Sequence, residues 1–151
     1  IYRLARFPLG DQVQLVLWHL WSHNRAGEPQ GVYSHQTALS IYELSDVMPA
    51  KLHLTVPLTF RRNAAIPKVL LLHRADLKAS DIETLRGFKV TRPLPTILAL
   101  AREATIAQDL LEQALAEGRR RGLIRLSELN QAKADVSLPS WFTALPKKHS
   151  A

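Results

Sequence analysis

The chain has 151 residues, of which 46% are hydrophobic and 22% charged, and it contains no cysteine. That is one domain's worth of chain with an ordinary globular core, and the missing thiols exclude disulfides, thiolate zinc sites, iron–sulfur clusters and a cysteine nucleophile. Twenty Lys and Arg against thirteen Asp and Glu give a net charge of +7 and a pI near 10.1, which favours acidic partners, nucleic acid first among them.

The first segment, YRLARFP (2–8), alternates Tyr2, Leu4 and Phe7 against Arg3 and Arg6, the pattern of a half-exposed strand stopped by Pro8. It needs a partner strand, and the chain opens directly into it at Ile1, so further residues are expected upstream. Asp11 with Gln14 reads as a capping box, and Val13, Val16, Leu17 and Leu20 then recur at helical spacing through His23. Gly31-Val32-Tyr33 is a short extended entry to a helix capped by Ser34, with Ala38, Ile41 and Tyr42 on its apolar face. SDVMPA (45–50) reads as a turn.

KLHLTVP (51–57) is the clearest strand, with Leu52, Leu54 and Val56 inward and Lys51, His53 and Thr55 outward. The unbroken apolar run VLLLH (69–73) predicts a central strand, and Ile82 to Arg86 and Phe88 to Thr91 predict two more, bent at Gly87. From Thr96 the period becomes helical: one helix carries Ile97, Leu98, Leu100 and Ala101, and a second carries Ile106, Leu110, Ala114 and Leu115 up to Gly122. A short helix opens at Ser127-Glu128, and Trp141, Phe142 and Leu145 dock a last turn. Grouped strands followed by grouped helices predict an α+β domain, a small mixed sheet with a helical region after it. Runs such as VLLL fall far short of the ~20 residues of a membrane-spanning helix, and the absence of cysteine is compatible with the cytoplasm.

Chemistry-bearing patterns are sparse. His19 and His23 stand four apart on a helix, a spacing at which two imidazoles can face one metal, but the Glu of a metalloprotease helix and a third ligand are missing. Asp46 followed by Asp76-Leu77-Lys78 loosely fits the arrangement of a metal-dependent nuclease, with two carboxylates for Mg²⁺ and a Lys for phosphorane charge; local turn chemistry explains the same residues. Ser34-His35 invites a nucleophile reading, against which Ser34 serves as an N-cap and no G-x-S-x-G elbow occurs. Phosphate-loop motifs are absent as well, so a non-enzymatic protein without metal or cofactor is expected. The basic groups are Arg3 and Arg6, Arg61-Arg62, and Arg119-Arg120-Arg121 with Arg125. The triplet either complements the dipole at a helix end before Gly122 or offers at least two cations to phosphate. Trp18 and Trp21, or Trp141 and Phe142, would serve a protein-interaction module, or simply the core.

A longer pattern runs through SHQTALSIYELSDVMP and KLHLTVP (34–57) and again through VTRPLPTILALA (90–101). It resembles the AbiEi-type antitoxins, transcriptional regulators of viral defence, over most of the chain from Tyr2 to about Leu129. That family's pattern is an S-H-x-[ST]-A-L helix, an L-x-D-x-x-P turn, an H-[LV]-T-V-P strand, and later V-T-x-P followed by R-T-L-L-D-L-A. Ser34, His35, Thr37, Ala38, Leu39, Leu44, Asp46, Pro49, His53, Thr55, Val56 and Pro57 match it, as do Val90, Thr91, Pro93 and Thr96. Pro95 stands where the pattern has Arg and Ala99 where it has Asp, so a charged pair is lost here. YRLARFP resembles the end of the family's winged-helix wing.

The resemblance implies that residues 1–8 are the remnant of an N-terminal winged helix and 9–151 a C-terminal antitoxin domain of a type IV toxin–antitoxin, or abortive-infection, system. It implies a cytoplasmic autoregulator that binds operator DNA of its own operon, mainly through the winged helix. It also implies antagonism of a nucleotidyltransferase-like toxin without a stable complex, with weak self-association left open. On that reading Arg3 and Arg6 are the first candidates for DNA-backbone contact, followed by Arg61, Arg62 and Arg119–Arg121.

Overall fold

The computed structural model describes residues 9–45, 50–61, 65–135 and 137–143. Helix α1 (Leu9–Trp21) leads to the two-residue strand β1 (Val32–Tyr33) and helix α2 (His35–Tyr42). Strands β2 (Leu52–Val56) and β3 (Leu70–Arg74) follow, then a 3-10 turn and the hairpin of β4 (Ile82–Leu85) and β5 (Phe88–Thr91). Four helices follow among the described residues: α3 (Pro93–Glu103), α4 (Gln108–Arg120), α5 (Leu126–Ala132) and α6 (Ser140–Thr143). This is the expected α+β architecture, with one five-stranded mixed sheet ordered β3-β2-β1-β5-β4. β1 is antiparallel to β2 and parallel to β5, and β2 and β3 are parallel. Among the described residues no helix is long and apolar enough to cross a membrane.

Register sorts the sheet into two unlike faces, because paired residues share a face and neighbours along a strand do not. Tyr33 pairs with Leu54 and Val90, and Leu54 with Leu72, so these lie on one side with Leu52, Val56 and Phe88. Tyr33 is fully buried, stands edge-on to Phe88 at 5.6 Å and donates its hydroxyl to the Leu15 carbonyl at 2.6 Å, which fastens α1 to the shortest strand. Val32, His53, Thr55, His73 and Thr91 fall on the other side. The hairpin turn at Gly87 (φ +88°) uses backbone freedom that other residues seldom have, and Gly122 (φ +74°) ends the last turn of α4 in the same way.

Four expectations need correction. The helix expected to start at Asp11 begins at Leu9, which puts Asp11 within its first turn. Its buried side carries Leu15 and His19, flanked by the half-buried Trp18 and Trp21, whereas Val13, Leu17 and Leu20 are exposed at 61%, 54% and 51%. Apolar residues line both sides of this helix, and the side bearing the tryptophans is the one that packs. VLLLH, expected at the centre, is the edge strand β3 with Leu71 exposed, its apolar run serving one packed face and an open border. Finally, the supposedly outward Thr55 is 3% exposed, because the polar face of β2 is covered rather than solvated. The segment Tyr2–Pro8 lies outside the described residues, as do Asp46–Pro49 of the 45–50 turn and Leu145.

Candidate active site

The covered polar face holds a stack of three imidazoles. His35 lies over His73 with ring centroids 3.8 Å apart and planes 14° from parallel, and His53 lies 5.2 Å from His73. His53 Nδ1 and His73 Nε2 are 2.9 Å apart, a hydrogen bond that requires one ring to donate and the other to accept. Burial, the neighbouring imidazoles of His73 and His35, and only partial compensation by Glu103 push the pKa of His53 down to about 4. His73 is also lowered, first by burial and then by His35. Neutral rings can share a proton and stack, whereas two imidazolium ions at this separation would repel.

The chain of bonds continues in one direction. Glu103 Oε2 lies 2.8 Å from His35 Nε2, and a carboxylate accepts, so that nitrogen carries the proton. In the neutral ring His35 Nδ1 is then an acceptor, and Ser34 Oγ at 2.8 Å donates to it. Thr55 Oγ1, 2.6 Å from Ser34 Oγ, supplies the next donor. A second hydroxyl pair, Thr91 and Thr96, bonds side chain to side chain and joins the end of β5 to the first turn of α3. Glu103 lies two turns after Thr96 on that helix, which returns it to the same face.

Local backbone explains why these groups converge. Ser34 occupies the N-cap position of α2 in an extended conformation, yet it makes no side-chain cap. Its hydroxyl is spent on His35 and Thr55, which corrects its reading as a helix cap. His35 follows at φ +54°, and the two other non-glycine residues of positive φ among those described, Glu43 and Ala104, are both helix C-caps. A left-handed residue at the start of a helix costs about 1–3 kcal/mol and persists only where its surroundings hold it. Here the bonds on both ring nitrogens and the stack on His73 do so.

A cavity of about 510 Å³ opens in front of this cluster. Ser34, His35, Thr55, His73 and Glu103 form one part of its wall, and Thr91 and Thr96 another, while His53 backs His73 from behind. Arg74, Lys78 and Arg102 bring positive charge to the lining and Asp81 and Glu103 negative charge, Arg74 being bonded to the Phe60 carbonyl at 2.7 Å and Arg102 paired with Asp135 at 2.6 Å. Pro95 and Ala99, where the expected Arg and Asp are replaced, also line it. No group of three His, Asp or Glu among the described residues is arranged to hold a metal.

The structure therefore brings together Ser34, His35, His53, Thr91 and Thr96, which the sequence singled out, and adds His73 and Glu103, which it did not. Arg3, Arg6, Asp46 and Arg62 lie outside the described residues. Arg61 is exposed. In the triplet, Arg120 is exposed and pairs with Glu117, while Arg121 donates to the Tyr42 carbonyl at 2.8 Å and ties α4 to the end of α2. Asp76 accepts the Leu58 N–H at 3.1 Å, which ties the segment after β3 to the one after β2, and Lys78 lines the cavity. His19 and His23 hold separate backbone carbonyls, those of Gly31 and Leu20. A scan against protein-family models and a search of curated proteins return no match to this chain.

Proposed function

We propose that this chain is the antitoxin-type domain of a transcriptional regulator of a type IV toxin–antitoxin defence system, and that the imidazole-lined cavity is its working site. One observation carries the reading. Ser34, His35, Thr55, Thr91 and Thr96 are matched positions of the resemblance, spread over sixty residues, and all five line one cavity, with the matched His53 6.0 Å from His35 behind it. Residues that served only as scaffold would be scattered through the core, as Ala38, Leu39 and Val56 are. The net charge of +7 supports a second role beside operator DNA, with Arg61 and Arg120 as exposed cations.

Co-expression tests it directly. The chain is produced together with a nucleotidyltransferase-like toxin, the partner this reading requires, and growth is compared for wild type and for His35→Gln, each checked for a cooperative melt. Rescue by the wild type and its loss in the folded variant support the proposal. Absence of rescue at matched expression overturns it.

A further inference from the structure

We propose that Ser34 is a nucleophile and that the cavity before it is an acyl-transfer site for an ester or thioester carrying an anionic group. This goes beyond the antitoxin reading and is independent of it, since it rests on Ser34, His35, Glu103 and the space they face. The three residues form an uninterrupted hydroxyl–imidazole–carboxylate chain with two bonds of 2.8 Å, the arrangement in which an imidazole takes the serine proton while a carboxylate fixes its tautomer. The hydroxyl lies on the tight passage from β1 to α2, and the strained residue of that passage, His35, is the base itself. A sharp strand-to-helix turn is one way folds present a serine to a pocket.

Two further features fit acyl chemistry. Ser34 makes no side-chain cap, so its hydroxyl does not occupy the first N–H groups of α2, the backbone donors that follow the nucleophile and that an oxyanion would need. The 510 Å³ volume lies within the range of small-molecule sites. Phosphoryl transfer is less well served. It concentrates several negative charges, whereas Arg74 and Arg102 are already held by the Phe60 carbonyl and by Asp135. Among the cations of the lining Lys78 is exposed and not held by a carbonyl or by Asp135, so it suits one carboxylate or phosphate on the substrate's distal end, with Asp81 on the same lining limiting the site to a single negative charge.

The steps balance without any co-reactant but water. Ser34 Oγ bonds to the carbonyl carbon as its proton passes to His35 Nδ1, and the carbonyl oxygen becomes the anion facing α2. The carbon–oxygen or carbon–sulfur bond then breaks, His35 returns the proton to the leaving alkoxide or thiolate, and the acyl group remains as an ester on Ser34. Water repeats the sequence, releasing a carboxylic acid and restoring the hydroxyl. Glu103 acts through His35 and is a positioning residue.

The test uses the 151-residue chain with p-nitrophenyl acetate and with p-nitrophenyl hemisuccinate, following p-nitrophenolate release and mapping the adduct by peptide mass spectrometry. The expected result is one acyl group on Ser34, with none on the Ser34→Ala chain. Glu103→Gln slows acylation at least about tenfold and alters its pH profile, and Glu103→Asp restores part of the rate. The anionic ester reacts faster than the neutral one, and Lys78→Glu removes that preference. Thermal melts establish that each variant is folded; if Ser34→Ala is not, the wild-type peptide map and the Glu103 pair decide. An adduct only on lysine, p-nitrophenolate release no faster than without protein, or a rate untouched by Glu103→Gln overturns the nucleophile. Equal rates for the two esters overturn the anionic substrate class.

Discussion

Acidification should destabilise this domain through His53. Its ordinary pKa of 6.5 is the unfolded reference, and burial beside two other imidazoles holds the folded value at about 4. A histidine depressed in the folded state binds more protons when unfolded, so stability falls as the pH drops below 6.5 and the loss levels off near 4. At pH 5 the unfolded ring is almost wholly charged and the native ring almost wholly neutral. Linkage then gives a loss of at most about 2 kcal/mol relative to pH 7 from this group alone, reduced to the extent that solvent screens the half-buried ring. With a urea slope of about 1–3 kcal/mol/M, the midpoint should move down by up to about 1 M. His73 and His19, also lowered, act in the same direction. The assay is urea unfolding at pH 7 and pH 5 for wild type and for His53→Gln, which can still bond to His73 but gains no charge. The variant should lose less on acidification, by up to about 2 kcal/mol. An identical pH loss in both proteins would refute the assignment of a neutral, half-buried His53.

Other consequences can be measured separately. Gly31→Ala brings a Cβ to 2.7 Å from Leu54 Cδ2, and Leu54 is fully buried, so chemical denaturation should show a loss of about 1–3 kcal/mol. Tyr33→Phe removes the side-chain donor to the Leu15 carbonyl and should cost about 1–2 kcal/mol in the same measurement. Arg121→Ala should lower the melting temperature because two carbonyls at the end of α2 lose a donor, while Arg120→Ala should leave it unchanged. If operator DNA meets this face, Arg120→Ala should instead reduce the salt dependence of binding by about one unit of slope.

The local periodicities carried most of the architecture. Alternation in 51–57 gave β2, Gly87 gave the hairpin, and the change of period near Thr96 gave the helical end of the chain. What periodicity cannot convey is which face of an amphipathic element is covered, since that depends on elements distant in sequence. α1 offers apolar residues on both sides, and only packing chooses the tryptophan side. Thr55 looked solvent-facing because it is polar, whereas Ser34 and the imidazole stack cover it. The cluster was half legible for the same reason. Ser34, His35, His53, Thr91 and Thr96 stand in recognisable strings, while His73 ends an apolar run and Glu103 closes a helix, where acidic residues are unremarkable. Their meaning arises from the parallel pairing of Thr55 with His73 and from the two-turn spacing of Thr96 and Glu103.

The two-residue β1 at the centre of the sheet has a consequence for how the site comes into being. Val32 waits for Thr55 and Tyr33 for Val90, so the middle of the sheet cannot close until chain on both sides has been made. Pairings over such separations are the slow part of folding. The last member of the proton chain, Glu103, is synthesised after all five strands. On the ribosome, therefore, a growing chain has its imidazoles long before it has the carboxylate that orients one of them. Assembly of the site is thus a late event, and the His35–Glu103 bond marks its completion.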